Sequence, residues 1–150
     1  MTTLADQFER SGSEVLHLDD GVEVRAVARF PMRDGSRLRI HRLGCTRARR
    51  QALKLLANGG TLAVNGLDVP AITLWSDTAP RQTEVTVNGH GVTLDIWNAW
   101  IYGGVEHCWI GNAGMVLSGS ERGYTIRCSD GVGPVDFDDL AIAIDFLKPA

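Results

Sequence analysis

Ten basic side chains fall within residues 25–54: Arg25, Arg29, Arg33, Arg37, Arg39, Arg42, Arg47, Arg49, Arg50 and Lys54, with Asp34 the one acid among them. The whole chain holds 15 basic and 18 acidic residues, so only five basic residues face seventeen acids elsewhere. A split of this kind calls for one of two things. Either the fold matches the charges internally, or the basic stretch meets a polyanionic partner, an acidic protein or a nucleic acid. A nucleic-acid footprint should add aromatic or base-reading groups to the cations, and here Phe30 is the single aromatic in the stretch.

Other chemistry is sparser. Asp136, Asp138 and Asp139, with Asp130, could offer hard oxygen ligands to calcium, but they also read as a solvated acidic turn or as partners for arginines. His17, His41, His90 and His107 lie far apart, and no HxH, HxxxH or CxxC spacing is present to hold zinc. His107 and Cys108 are adjacent, so on a strand they point to opposite faces. No GxSxG or GxxxxGK[ST] occurs. The segment 103–114, GGVEHCWIGNAG, therefore reads as turns. Aromatic residues (Trp75, Trp97, Trp100, Trp109, Tyr102, Tyr124) read first as core. A ligand pocket would need to join Trp75, Trp109 and Asn112 to Asp77, Asp95 or Asp130, as a sugar site or a small enzyme would. No cofactor and no resident metal are implied.

The bulk properties suit a single globular domain with an ordinary apolar content. The opening residues, MTTLADQFERSGSE, lack the pattern of a signal peptide. The most apolar stretch, 99–117, is interrupted by Gly103, Gly104, Glu106 and His107, so no membrane partner is expected. Three cysteines give no even disulfide framework, which points to a reducing, cytoplasmic compartment.

The elements that must position these groups read as β throughout, with one exception. Residues 95–130 carry three tryptophans, both tyrosines and two cysteines, and form the expected centre of the fold. Alternation predicts strands over 22–30 and 36–43, joined through 31–35 as a hairpin. Matching the core faces would place Arg29 opposite Arg37, Val27 opposite Arg39 and Arg25 opposite His41, with like charges facing each other. Residues 46–58 read as an amphipathic helix, with Thr46 as N-cap, Gly59-Gly60 as the stop, and Arg47, Arg50 and Lys54 on its outer face. Residues 3–11 read as a short helix or an irregular arm. Asn65-Gly66 and 88–91 are turn signals between further strands. Residues 92–102 carry bulk on both faces, as a central strand between layers would.

The segments LWSDTAP (74–80), DIWNAW (95–100), WIGNAGM (109–115), YTIRCSDG (124–131) and DFDDLAIAI (136–144) resemble a set of short bacterial β-domain proteins with no assigned activity. That resemblance implies a compact β domain and carries over no catalytic residue. Asp136-Phe137-Asp138-Asp139-Leu140 is also similar to the DFxDL segments of some calcium-binding β-sandwich domains. The expected fold is an antiparallel β-sandwich of about nine to ten strands with one helix at 46–58. The expected function is non-catalytic: a cytoplasmic binding protein, of an immunity or accessory type, that recognises a protein partner through Arg25, Arg29, Arg37, Arg39, His41, Arg47, Arg50 and Lys54. The alternatives are a nucleic-acid partner on the same stripe, and a carbohydrate-binding module or small enzyme built on the aromatic and acidic residues.

Overall fold

A computed structural model describes residues 2–147. One helix, α1 (Leu4–Ser11), precedes fourteen strands. These are β1 (Val15–His17), β2 (Glu23–Arg25), β3 (Ala28–Met32), β4 (Ser36–Cys45), β5 (Gln51–Asn58), β6 (Thr61–Val64) and β7 (Leu67–Val69) in the first half. The second half contributes β8 (Ala71–Trp75), β9 (Gln82–Asn88), β10 (Val92–Tyr102), β11 (Val105–His107), β12 (Gly114–Ser120), β13 (Gly123–Ser129) and β14 (Leu140–Leu147). Four of the fourteen have only three residues, which is why alternation alone resolves fewer.

The strands form two antiparallel sheets. The larger runs β1-β2-β12-β13-β14-β4-β9-β6-β7. In the smaller, β10 pairs with β5, which pairs with β8; β3 and β11 share the other edge of β10. Leu38, Ile40, Val85, Met115, Ile126, Leu140, Ile142 and Ile144 of the larger sheet pack against Ala28, Leu53, Leu55, Leu94 and Ile96 of the smaller. This is the sandwich core, and its alternating apolar faces are what hold the sheets together. A second cluster, Leu4, Leu16 and Val24 with Phe8, Val116 and Phe137, seats α1 against β1, β2 and β12. Helix α1 starts with a reciprocal Thr3–Asp6 capping box and stops at Gly12, whose φ is 66°.

Residues 46–58 are not a helix. Gln51–Asn58 is β5, an inner strand of the smaller sheet between β10 and β8, and residues 46–50 are the loop that leads into it. Gln51, Ala52, Leu53, Leu55 and Ala57 are all buried. The outward positions Ala52 and Leu56 are apolar as well as the inward Leu53, Leu55 and Ala57, so the alternation that marks strands is lost and the Ala, Leu, Lys and Gln content imitates a helix. Arg47, Arg50 and Lys54 therefore share no helix face. At the far end of β5, Gly60 touches the β9–β10 turn, where a Cβ would collide with the Asn88 carbonyl and the Val92 side chain.

The expected hairpin of 22–30 with 36–43 does not form either. Strand β3 pairs with β10 in the smaller sheet, while β4 lies between β14 and β9 in the larger. The chain crosses from one sheet to the other through residues 33–35. The like-charge contacts vanish with the hairpin: Arg29 faces Asp95, and Arg39 lies between Glu84 and Asp145. Arg37 lies between Thr86 and Leu147, and His41 between Gln82 and Ala143. Strand β10 is central within its sheet, and Ile96 and Trp100 are buried as expected. Trp97 and Ile101 are only half-buried: among the described residues no further sheet lies over the outer face of the smaller sheet, and Trp109 covers Trp97 in part.

Candidate functional site

Most of the basic stretch is matched within the fold. Arg25 reaches Glu23 at 2.5 Å, Arg29 reaches Glu14 at 2.6 Å and Asp95 at 2.7 Å, and Arg39 reaches Glu84 at 2.8 Å. Arg49 reaches Asp130 at 2.7 Å, Arg50 reaches Asp77 at 2.8 Å and Lys54 reaches Glu106 at 2.6 Å. The paired guanidinium holds Glu14 below the usual carboxylate range, and Arg39 does the same to Glu84. Arg29 is itself raised, first by its hydrogen bonds to Glu14 and then by the charge of Asp95. Among the described residues, Arg33, Arg37, Arg42 and Arg47 have no carboxylate partner. Arg42 donates to the Ala79 carbonyl at 3.4 Å.

Two of these four line a groove. The smaller sheet ends at β3, and the larger continues past it into β13, β12 and β2. The step between them holds two adjoining cavities that share Phe30, Pro31 and Tyr124. One, of about 430 Å³, is walled by Glu23, Arg25, Arg29 and Leu117 besides the shared residues. The other, of about 310 Å³, adds Met32, Arg33, Ser36, Arg37, Glu121 and Phe146. Its floor is an aromatic cluster: Phe30 lies 5.4 Å from Tyr124 and 5.5 Å from Phe146, centroid to centroid. Edge and tilted packing fixes these rings as one surface. Ser36 also fixes the turn beside Arg33, its Oγ accepting from the Arg33 amide at 3.1 Å. Arg25, Arg29 and Arg37 of the expected interaction set thus come together here. Arg39, His41, Arg47, Arg50 and Lys54 lie elsewhere. Phe30, Tyr124 and Phe146 sit on three strands far apart in sequence, and no local pattern could have joined them.

The opposite end of β13 is closed. Asp130 is fully buried; its Oδ2 accepts from Arg49 at 2.7 Å and from Gln51 Nε2 at 2.9 Å, and its Oδ1 accepts from the Val132 amide. Asp139, also buried, accepts from the Asp130 amide at 3.0 Å. Desolvation, reinforced by the charges of Asp130 and Asp136, pushes Asp139 up to about 6 against the pull of the Asp130 amide and Arg49. Asp136 accepts from the Asp138 amide, and Asp138 pairs with Arg127. The acids considered for calcium are therefore spent on amides and arginines. Among the described residues no group of three or more His, Cys, Asp or Glu side chains could hold a metal ion.

The residues considered for a pocket do not converge. Trp75 is stacked under Arg50 at 4.7 Å, with Asp77 bound to the same guanidinium. Asp95 is buried between Arg29 and Asn58. Trp109, at a φ of 58°, stacks on Trp97 with centroids 5.1 Å apart, and its indole N–H donates to the Ala26 carbonyl. Its positive φ is unusual for a bulky side chain and is held by those two contacts. Asn112 ties the start of α1 to the Gly133 carbonyl. Asp130 is inside. Cys45, Cys108 and Cys128 are free thiols, and burial raises both Cys108 and Cys128. A raised thiol is a poor nucleophile. Among the described residues no helix is long and apolar enough to cross a membrane.

The chain matches no protein-family model, and neither the curated proteins nor the solved structures give a significant match.

Proposed function

We propose that this protein is a non-catalytic binding protein that docks an acidic protein partner along the groove beside β3. One observation carries the reading: Arg33 and Arg37, without a carboxylate partner among the described residues, stand on the wall of a cavity floored by aromatic rings. Six of the ten cations of the basic stretch are ion-paired within the chain, and Arg42 and Arg47, the other two without a carboxylate partner among the described residues, do not line this aromatic-floored cavity. A nucleic acid is less well served, since a phosphodiester chain needs a run of available cations. The three free thiols fit a reducing, cytoplasmic setting, and burial makes the Cys108 and Cys128 thiols poor nucleophiles; the chain acts as one β domain. An immunity or accessory role fits such a surface.

The test is fluorescence anisotropy of labelled polyglutamate with the full chain. Binding is expected at about 10 mM salt and is expected to weaken steeply near 150 mM, as the screening length falls from about 30 to about 8 Å. Arg33→Glu with Arg37→Glu should abolish it. Binding that ignores both salt and this double substitution would sink the proposal.

A second reading has its own support. Trp100, Tyr102, His107 and Ile110 line a hollow of about 320 Å³ at the closed end, and Tyr102, Trp109 and Ile110 are exposed. A carbohydrate could stack there. Loss of binding to a soluble polysaccharide in Tyr102→Ala would favour it.

A further inference from the structure

We infer that the groove recognises an amphipathic acidic motif, in which one carboxylate and one bulky apolar side chain of the same extended segment bind together. This deepens the docking reading and rests on it. Three features of the groove support it.

The first is charge. The cavity wall carries Arg33 and Arg37 but also Glu121, so its net charge is a single positive one. That matches one carboxylate at a time, the rest of a longer acidic chain staying in solvent. Guanidinium groups bind carboxylates through short, charge-assisted hydrogen bonds, which gives this end its direction.

The second is the floor. Phe30, Tyr124 and Phe146, with Met32 and Leu147 beside them, form an apolar box next to the two arginines. A carboxylate alone would leave the box filled with water. An aromatic or aliphatic side chain would displace that water and bury apolar area.

The third is the edge. Strand β3 is bonded to β10 on one side, and among the described residues its other side has no strand partner. A free edge invites a partner strand. Pro31, in the middle of β3, has no N–H to offer, which blunts that edge. The segment is then held by its side chains instead of by a backbone ladder. In an extended chain the residues at i and i+2 point the same way, about 7 Å apart, so the motif takes the form acid–any–apolar or its reverse.

The experiment is calorimetric titration of the full chain, at low salt, with acetyl-Glu-Gly-Phe-amide and acetyl-Phe-Gly-Glu-amide. Acetyl-Gln-Gly-Phe-amide, acetyl-Glu-Gly-Ala-amide, decanoate and polyglutamate serve as comparisons. At least one of the two Glu/Phe peptides should bind about tenfold more tightly than either the Gln or the Ala peptide, because each of those removes one of the two contacts. Arg33→Ala with Arg37→Ala should remove the preference for Glu over Gln while leaving the melting temperature unchanged. Phe146→Leu should weaken the preference for Phe over Ala. If polyglutamate binds but Phe gives no gain over Ala, the amphipathic motif is wrong and the docking reading survives. If neither polyglutamate nor any peptide binds, both fail. If decanoate binds about tenfold more tightly than the peptides, the occupant is a lipid-like carboxylate and the inferred peptide motif is overturned.

Discussion

The two ends of β13 solve the same problem in opposite ways. At its C-terminal end Asp130 is sealed inside, with Arg49, Gln51 and the Val132 amide satisfying it and Asp139 holding its own amide. At its N-terminal end Tyr124 opens onto a groove lined by Arg33 and Arg37, neither of them in an ion pair among the described residues, with Glu121 the one acid on the same wall. A buried ion must be paired, because an isolated charge in a dry interior is very costly. An exposed arginine carries no such demand and can wait for a ligand at little cost. The sealed end is therefore built for stability and the open end is available for recognition. Substitutions should separate the two.

The largest effect is expected from Asp130→Ala. It strands Arg49 and leaves Gln51 without its acceptor, so stability to urea should fall by about 3 kcal/mol or more, with binding at the groove retained in whatever fraction stays folded. A loss under about 1 kcal/mol would mean that the sealed cluster is not the clamp described here. A smaller effect concerns pH. Asp139 has a folded-state value of about 6, raised by burial from 3.8. Its contribution is thus full below the unfolded value and is lost as pH rises through about 6. Asp139→Asn should therefore flatten the decline of stability between about pH 4 and 6.5, read from urea midpoints across that range. An unchanged slope would show that Asp139 does not titrate there. The smallest effect belongs to the open end. Arg33→Ala and Arg37→Ala should each leave stability within about 0.5 kcal/mol, as surface positions without structural partners do. A larger loss would show that these arginines are structural after all, and the contrast between the ends would collapse.

How much of this was legible in the sequence depends on whether the signal was local. Strand β10 was read with its true limits, because Val92 to Tyr102 carries a long unbroken run between two turn signals. The Asn65-Gly66 turn was also plain: both residues take positive φ, and Val64 pairs with Leu67 across it. Strand β5 imitates a helix because Ala52, Leu55 and Leu56 fit a helical stripe as well as they fit a strand with apolar residues on both faces, and only its two neighbours decide the matter. The partner of β3 was misread for a related reason. A short loop favours a hairpin, but nothing near residues 31–35 records that the chain changes sheets there. The charge asymmetry was visible; its resolution was not, since Arg29 with Asp95 and Arg49 with Asp130 join positions remote in sequence. The groove lay further still from view, as its rings come from β3, β13 and β14.

The central claim is that the groove offers arginines without an ion-pair partner among the described residues beside an apolar floor, while the acids Asp130 and Asp139 at the other end of β13 are spent inside the fold. The most direct measurement is a two-dimensional amide NMR titration of the isotope-labelled full chain with polyglutamate at low salt. Shifts should cluster at Phe30, Met32, Arg33, Arg37, Tyr124 and Phe146, while Arg49, Asp130 and Asp139 stay in place. Shifts centred on the sealed end, or spread evenly over the paired cations Arg39, Arg50 and Lys54 outside the groove, would contradict the account.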